Sequence, residues 1–478
     1  MKTAEKQYYL AADFGASGGR HILAVRDGER IRMQEVYRFS NSPVIRDHMM
    51  CWDMEYLTMQ LIEGMKRCRD AGKIPACMGI DTWGLDYVFL DREGRILGNA
   101  ANHRDRRTRG LYRSIWDNVS EQELYKRTGI QMAEFNTLCQ LAADGRDRPQ
   151  LLRQAGCMLM IPDYFGYYLT GRRAQEYTNA STSQLLDPKK KDWDRELAVK
   201  LGIPDRLLLP VRMPGERLGS LRDEVKEKVG FDCDVILPAT HDTASALMVM
   251  PECAKGKTRA VISSGTWSLM GMITEEPVIC EAGRKLKFTN EGGFGGKNLL
   301  LKNSMGLWMI QNIRKETAPE MSFETLCTEA ERTEIASFVD CNSDEFLAPD
   351  SMVKAVTGFC KRTGQQIPET PGELAAVVYR SLAKSYAAIR KELETVTGEV
   401  CTEIRIVGGG SNAGYLNQLT ADYSGVPVLA GPAEATAAGN IMAQMTADGV
   451  FKDLEEAQAC AASSFEIKKY LPRERPEI

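Results

Sequence analysis

The chain predicts an α/β protein of two similar domains, each a mixed sheet with flanking helices. Three stretches carry that prediction. The first is Tyr8 to Val25 (YYLAADFGASGGRHILAV): an apolar run ends in Asp13, passes through Gly15, Ala16, Ser17, Gly18 and Gly19, and resumes as a β-prone run. This reads as strand, glycine turn, strand. A glycine-rich turn lets successive backbone N–H groups converge on phosphate oxygens. Asp13, closing the strand, sits where a phosphate-bound Mg²⁺ needs a carboxylate. The second stretch, Thr258 to Ile273 (TRAVISSGTWSLMGMI), repeats the plan around Ser263, Ser264, Gly265 and Thr266. In the third, Glu403 to Val407 feeds Gly408, Gly409 and Gly410 and then a helix through Leu416 and Leu419, a second nucleotide-contact geometry.

Between these anchors the elements follow in order. Arg30 to Ser40 alternates as a third strand of the first sheet. Asp53 to Ala71 carries Met54, Leu57, Leu61, Met65 and Cys68 on one helical face, and Gly72 ends it. Ala76 to Thr82 is a buried strand, and Asp86 to Leu90 leads into a turn at residues 91–94. Residues from about 120 to 201 read as a polar-faced helical insert broken at Pro149, Pro162 and Pro188. A strand at Asp234 to Leu237 is followed by His241, Asp242 and Thr243 and an Ala-rich helix beginning at Ala244. That places Asp242 near a helix N-terminus, where a capping role competes with a chemical one. Thr370, Pro371 and Glu373 form a capping box for a helix with Leu374, Val378, Leu382, Tyr386, Ile389 and Leu393 on one face, ending at Gly398.

The 478 residues suit two or three domains with substantial cores. Sixty-one Lys and Arg against 65 Asp and Glu, a net charge of -4, recommend neither nucleic acid nor an anionic membrane as a partner. Thirteen dispersed cysteines without a CxxC predict reduced thiols in a cytoplasmic protein. No signal-type or membrane-spanning apolar segment is expected.

Several chemistries are excluded by spacing. Gly15 to Gly19 matches GxSxG, but a nucleophile elbow requires a helix after the serine and a strand follows. Gly256-Lys257-Thr258 lacks the glycine five residues earlier, where Pro251 stands. Gly408, Gly410 and Ala413 fit a loose GxGxxA, but no acid closes a second strand at the required distance. The four histidines, at 21, 48, 103 and 241, have no ligand spacing, which argues against an all-protein metal site. What survives is phosphoryl transfer: two glycine turns for the β- and γ-phosphates with Mg²⁺, and a carboxylate to accept the proton of an attacking hydroxyl. Asp242 is the choice for that carboxylate.

DFGASGGR (13–20), GIDTWGLD (79–86), PDYFGYYLTG (162–171), EYTNASTSQL (176–185), THDTASA (240–246), SSGTWSLMG (263–271), TNEGG (289–293), KNSMGLWMIQ (302–311), IVGGGSN (406–412) and AGPAEATAAGN (430–440) together resemble the FGGY carbohydrate kinases. The resemblance covers nearly the whole chain. It implies two actin-like (ribonuclease H-like) ATPase domains around an interdomain cleft: residues 1–243 as the sugar-binding side with its helical insert, and 244–478 as the ATP-binding side. It also implies ATP-dependent, Mg²⁺-requiring phosphorylation of L-rhamnulose at its C1 hydroxyl, a step of L-rhamnose catabolism. The partners are then a small ketose and ATP, and the protein a monomer or homodimer. By position, Asp242 resembles the proton acceptor, with His241 and Thr243 beside it at the sugar. Gly84 and Asn303 resemble further sugar contacts. Ala16, Ser17, Gly18, Gly19, Arg20, Thr266, Gln311 and Gly409 resemble ATP contacts, and Asp13 the metal-side carboxylate. Gly18 stands where a second serine is common, which removes a hydroxyl but keeps the backbone donors.

The sugar is expected near Trp83 and Gly84, although a lone tryptophan is as readily a core residue. Two alternatives stay open: a kinase for another ketose such as fuculose or xylulose, and a non-catalytic ATP-switched binding protein of the same fold.

Overall fold

β1 (Tyr8–Phe14) is buried along nearly its whole length, which explains its unbroken apolar run up to Asp13. In the computed structural model, which describes residues 7–253 and 255–473, it pairs antiparallel with β2 (Gly18–Asp27), and β2 with β3 (Arg30–Ser40). Asp53 caps α1 (Met54–Asp70) by accepting from the Tyr56 amide at 3.1 Å. The five apolar residues that define the predicted face of α1 are all buried. The chain returns as strand Pro75–Thr82, parallel to β1 with Asp13 opposite Asp81. Strands Asp234–Ile236 and Arg217–Ser220 extend this side, so the sheet runs 217–220, 234–236, 75–82, β1, β2, β3.

The insert departs from the expected polar-faced helices. Its helices are short, and strand Cys157–Met160 runs antiparallel to strand Tyr87–Leu90. Pro149 marks the expected break, between helix Thr137–Asp147 and helix Pro149–Gln154, and both it and Pro162, in helix Ile161–Thr170, stand in a first turn, where a residue has no intrahelical N–H bond to lose. Helix Tyr177–Ser181 is buried at every position despite its polar sequence, because its polar groups find partners inside the fold.

The second sheet opens as predicted with the antiparallel pair Arg259–Ser264 and Trp267–Thr274. Strand Glu403–Val407 lies parallel to the first of these and strand Val428–Ala430 parallel to it in turn, with Lys468–Tyr470 antiparallel at the edge. Helix Pro371–Thr397 has the expected capping box and ends on Gly398 at φ 75°.

By contacts the chain forms two compact units, neither continuous in sequence. One comprises the residues up to Pro251 with Thr274–Leu300 and Thr436–Ser464; the other comprises Glu252–Ile273, Leu301–Ala435 and the segment from Phe465. All thirteen cysteines are free. Among the described residues no helix is long and apolar enough to cross a membrane.

Candidate active site

In the first unit the chemistry gathers at one end of the six-stranded sheet. Parallel pairing sets Asp13 and Asp81 side by side at the ends of adjacent strands. Asp81 is 0% exposed; its Oδ2 accepts from Asn440 Nδ2 at 2.5 Å, and Gln444 Nε2 donates to Asn440 Oδ1 at 2.7 Å to fix that amide. Burial, and then the charge of Asp13, push the Asp81 carboxyl well above the usual carboxylate range. Asp81 Oδ1 is buried with no donor against it. Arg20 Nε donates to Asp13 Oδ2 at 3.1 Å, so one of the expected ATP contacts is tied to the expected metal-side carboxylate.

The segment Thr240–Asp242 runs beside this strand end. Thr82 donates its amide to Thr240 O at 2.8 Å and bridges to His241. The fully buried Glu176 clamps the segment from the other side. Its carboxylate accepts from Thr240 N (3.2 Å) and Oγ1 (2.6 Å), and also from Thr178 N (2.9 Å), Thr178 Oγ1 (2.6 Å) and Asn179 N (3.1 Å). The buried polar helix Tyr177–Ser181 thus serves as the mount for the segment, and His241 N donates to Thr178 Oγ1 at 3.1 Å.

The helix that follows begins at Asp242 itself, two residues earlier than expected, with His241 as its N-cap and no side-chain capping bond. Asp242 is therefore the first helical residue and not the N-cap, though its carboxylate takes up a first-turn amide as a cap would. Its carboxylate accepts from Thr243 N at 2.5 Å and Thr243 Oγ1 at 3.3 Å, and its side chain is 35% exposed. Burial, with the Asp13 charge second, pushes its carboxyl up to about 7 despite the two Thr243 donors. His241 Nε2 lies 3.5 Å from Asp242 Oδ1, and Nδ1 lies 3.3 Å from Glu291 Oε2. Burial lowers the His241 imidazole below its ordinary value, the Glu291 charge opposing; burial raises Glu291, the imidazole opposing.

Gly84 begins the loop beyond Thr82, where a Cβ would press on Thr182 at 3.0 Å. The next residue, Leu85, is held at φ 79°, an unusual conformation for a bulky side chain, by bonds from its N–H to Thr182 Oγ1 (3.1 Å) and from Thr137 Oγ1 to its carbonyl (2.6 Å). Trp83 is only 7% exposed, its ring 4.2 Å from that of Trp52, and both indoles donate to the buried Asp86. Trp83 is therefore a core residue supporting the loop.

The first glycine turn is closed by Gly15 N to Gly18 O at 2.8 Å and braced by Asn41, which donates its backbone N–H to Ser17 O and its side-chain amide to Gly15 O. A Cβ at Gly18 would meet Phe39 O at 2.8 Å, and one at Gly19 would run into the Phe39 ring. A serine at position 18 would collide with backbone, which gives the glycine there a steric reason.

In the second unit, Thr266 lies in the turn between the paired strands, closed by Gly265 N to Trp267 O at 2.9 Å. Trp308 N bonds Thr266 O at 3.1 Å, and a Cβ at Gly306 would lie 2.5 Å from Trp267 C. Gly408, at φ 81°, and Gly410 press on Ser264, while a Cβ at Gly409 would meet nothing within 4 Å. Thr266 and Gly409 thus share one end of this sheet. Gln311 is part-exposed on helix Trp308–Thr317, and Asn303 part-exposed on strand Asn298–Met305.

Sequence reasoning assigned no role to Asp81, Glu176, Glu291 or Asn440. Asp81 carried a readable signal, an apolar strand ending in Asp as β1 nearly does; Glu291 and Glu176 lay inside quoted motifs, but only tertiary contact shows what they face.

The model of the FGGY family of carbohydrate kinases, N-terminal domain, matches residues 8–249, and that of the C-terminal domain matches residues 260–447. A rhamnulokinase of Halalkalibacterium halodurans is 41% identical over 468 residues, 98% of this chain and 99% of that protein. One of Bacillus subtilis is 40% identical over 98% of this chain and 96% of its own length. Among solved structures, gluconate kinase from Lactobacillus acidophilus superposes with a TM-score of 0.78 at 16% identity, covering 98% of this chain and 94% of that one. Xylulose kinase from the same organism gives 0.77 at 17%, with the same coverage. At that identity the structural likeness establishes the fold alone.

Proposed function

The chain belongs to the FGGY family of carbohydrate kinases, and from that premise we propose that it transfers the γ-phosphate of ATP to the C1 hydroxyl of L-rhamnulose, giving L-rhamnulose 1-phosphate and ADP. The single observation that carries the chemistry is Asp242, a part-exposed carboxylate at the start of a helix, anchored by Thr243 and backed by His241. The choice of sugar follows the relatives named rhamnulokinase, which match over nearly their full length.

In this reading the C1 oxygen attacks the γ-phosphorus while its proton passes to Asp242, and the bond to the β,γ-bridging oxygen breaks with ADP leaving. His241, Thr243, Gly84 and Asn303 contact the sugar. Ala16 to Arg20, Thr266, Gln311 and Gly409 contact ATP. In the division into 1–243, the sugar side, and 244–478, the ATP side, two contacts cross over: Asn303 of the second part reaches the sugar, and Ala16 to Arg20 of the first reach ATP. Among the described residues no group of three His, Cys, Asp or Glu side chains is arranged to hold a metal ion. Two adjacent carboxylates, one with a buried oxygen lacking a donor, nevertheless fit a Mg²⁺ whose remaining ligands are phosphate and water. Asp13 and Asp81 would hold it, and bound Mg²⁺ supplies charge neutralisation on the phosphates. The protein acts in the cytoplasm.

Asp242→Asn is expected to keep ATP and sugar affinity and to lose about 10²- to 10⁴-fold in kcat. Near-normal turnover would reject the base assignment. A coupled ADP-release assay over L-rhamnulose, L-fuculose and xylulose tests the substrate; a higher kcat/KM on another ketose would replace it. Asp242 must be ionised to take the proton, and its carboxyl is pushed up to about 7, so kcat/KM should rise with pH toward neutrality. A profile already flat from about pH 5 upward would contradict this.

A further inference from the structure

We propose that Glu291 is a positioning residue for the transfer, acting through His241 to hold the imidazole edge against Asp242. The inference rests on the reading of Asp242 as the base. Glu291 lies on the buried strand Thr289–Gly292. Its aim is fixed by the residue after it: Gly292 N donates to Ser181 Oγ at 2.7 Å, and a Cβ at Gly292 would meet the Tyr177 ring at 2.5 Å. His241 is pinned to the same helix, through Thr178 Oγ1 at 3.1 Å. One short buried helix therefore sets both members of the pair.

Glu291 Oε2 and His241 Nδ1 face each other at 3.3 Å; both are buried, and as they stand neither has a hydrogen-bond partner. That arrangement leaves Nε2 as the ring atom facing Asp242 Oδ1, at 3.5 Å. Burial favours the uncharged forms of acid and ring. The Glu291 O–H then donates to Nδ1, Nε2–H donates to Asp242 Oδ1, and Oδ2 is left for the alcohol. No proton is gained or lost along this chain; the alcohol's proton ends on Asp242. Contacts of 3.3 and 3.5 Å are slack, as catalytic hydrogen bonds often are before substrate binds.

The test is a double-mutant cycle on the full-length enzyme with L-rhamnulose and Mg·ATP. Glu291→Leu, which removes the donor to Nδ1, should lower kcat about 10- to 100-fold, the scale typical of a partner that orients a functional group, with KM for ATP unchanged; Glu291→Gln, whose amide N–H can still donate to Nδ1, should retain kcat. In a His241→Asn background Glu291→Leu should change kcat by less than about twofold, because the ring through which it acts is gone. Full additivity of the two losses, or normal kcat in Glu291→Leu, would overturn the proposal. Should Glu291→Leu fail to fold by circular dichroism, Glu291→Asp, which only withdraws the carboxyl, is measured in the same cycle against the same two outcomes. If Asp242→Asn turns over normally, it is the reading of the base that fails; if Asp242→Asn is inactive and the cycle additive, only the role of Glu291 does.

Discussion

The two glycine turns share a sequence plan and differ in what supports them. In the first, the constraint is local: Gly18 and Gly19 stand against Phe39, and Asn41, just beyond β3, ties the turn closed. In the second, Gly265 is sterically free of all but Trp267 O at 3.8 Å, and the crowding falls on Gly306, forty residues on, whose missing side chain lets the chain pass over Thr266 and Trp267. A further brace, Gly408 and Gly410 against Ser264, comes from a third stretch. The same motif can therefore be held by the next strand of its own antiparallel sheet or by backbone from more distant stretches. Only in the first case do the turn's own glycines show where substitution will hurt.

Substitutions can break that contrast. The largest effect is expected from Gly306→Ala: its Cβ would lie 2.5 Å from backbone carbon, which cannot yield cheaply, so the Thr266 turn must shift. A misplacement of about 1 Å at a site costs about 10²-fold in rate. Steady-state kinetics should show that loss in kcat/KM for ATP; an unaffected enzyme would mean that the turn is not an ATP contact or that it tolerates displacement. Gly19→Ala meets a side chain, Phe39, which can rotate at a cost, so a stability loss of about 1–3 kcal/mol is expected by denaturant titration. An unchanged midpoint would show Phe39 to be loosely held. The smallest structural effect belongs to Gly409→Ala, where a Cβ meets nothing within 4 Å. Stability should stay within about 0.5 kcal/mol, so that any rise in KM for ATP reports on the nucleotide directly.

Elements whose partners are close in sequence were readable in advance. The helix from Pro371 to Gly398 declares its start by Thr370 and Glu373, its buried face by spacing, and its end by a glycine. α1 declares its buried face by five apolar positions and its end by Gly72. The insert was not readable, because Tyr177 to Ser181 is polar in composition and buried in fact, its groups being satisfied by Glu176, the Thr240 carbonyl and the Gly292 amide. Prolines there were ambiguous for a related reason: the residue type marks a helix boundary without saying which side of it is helical.

Sequence by itself determined the two strand–turn–strand units, the strand that feeds Gly408 and the phosphoryl-transfer class, since each depends on residues a few positions apart, and it singled out Asp242 as the carboxylate to propose. Tertiary structure alone decided what surrounds that carboxylate. Parallel pairing sets Asp13 beside Asp81, Asn440 reaches Asp81 from 359 residues away, and Glu291 meets His241 across a buried strand. The charge state of a buried acid is set by whatever lies within a few ångströms in space, and periodicity along the chain carries no record of that.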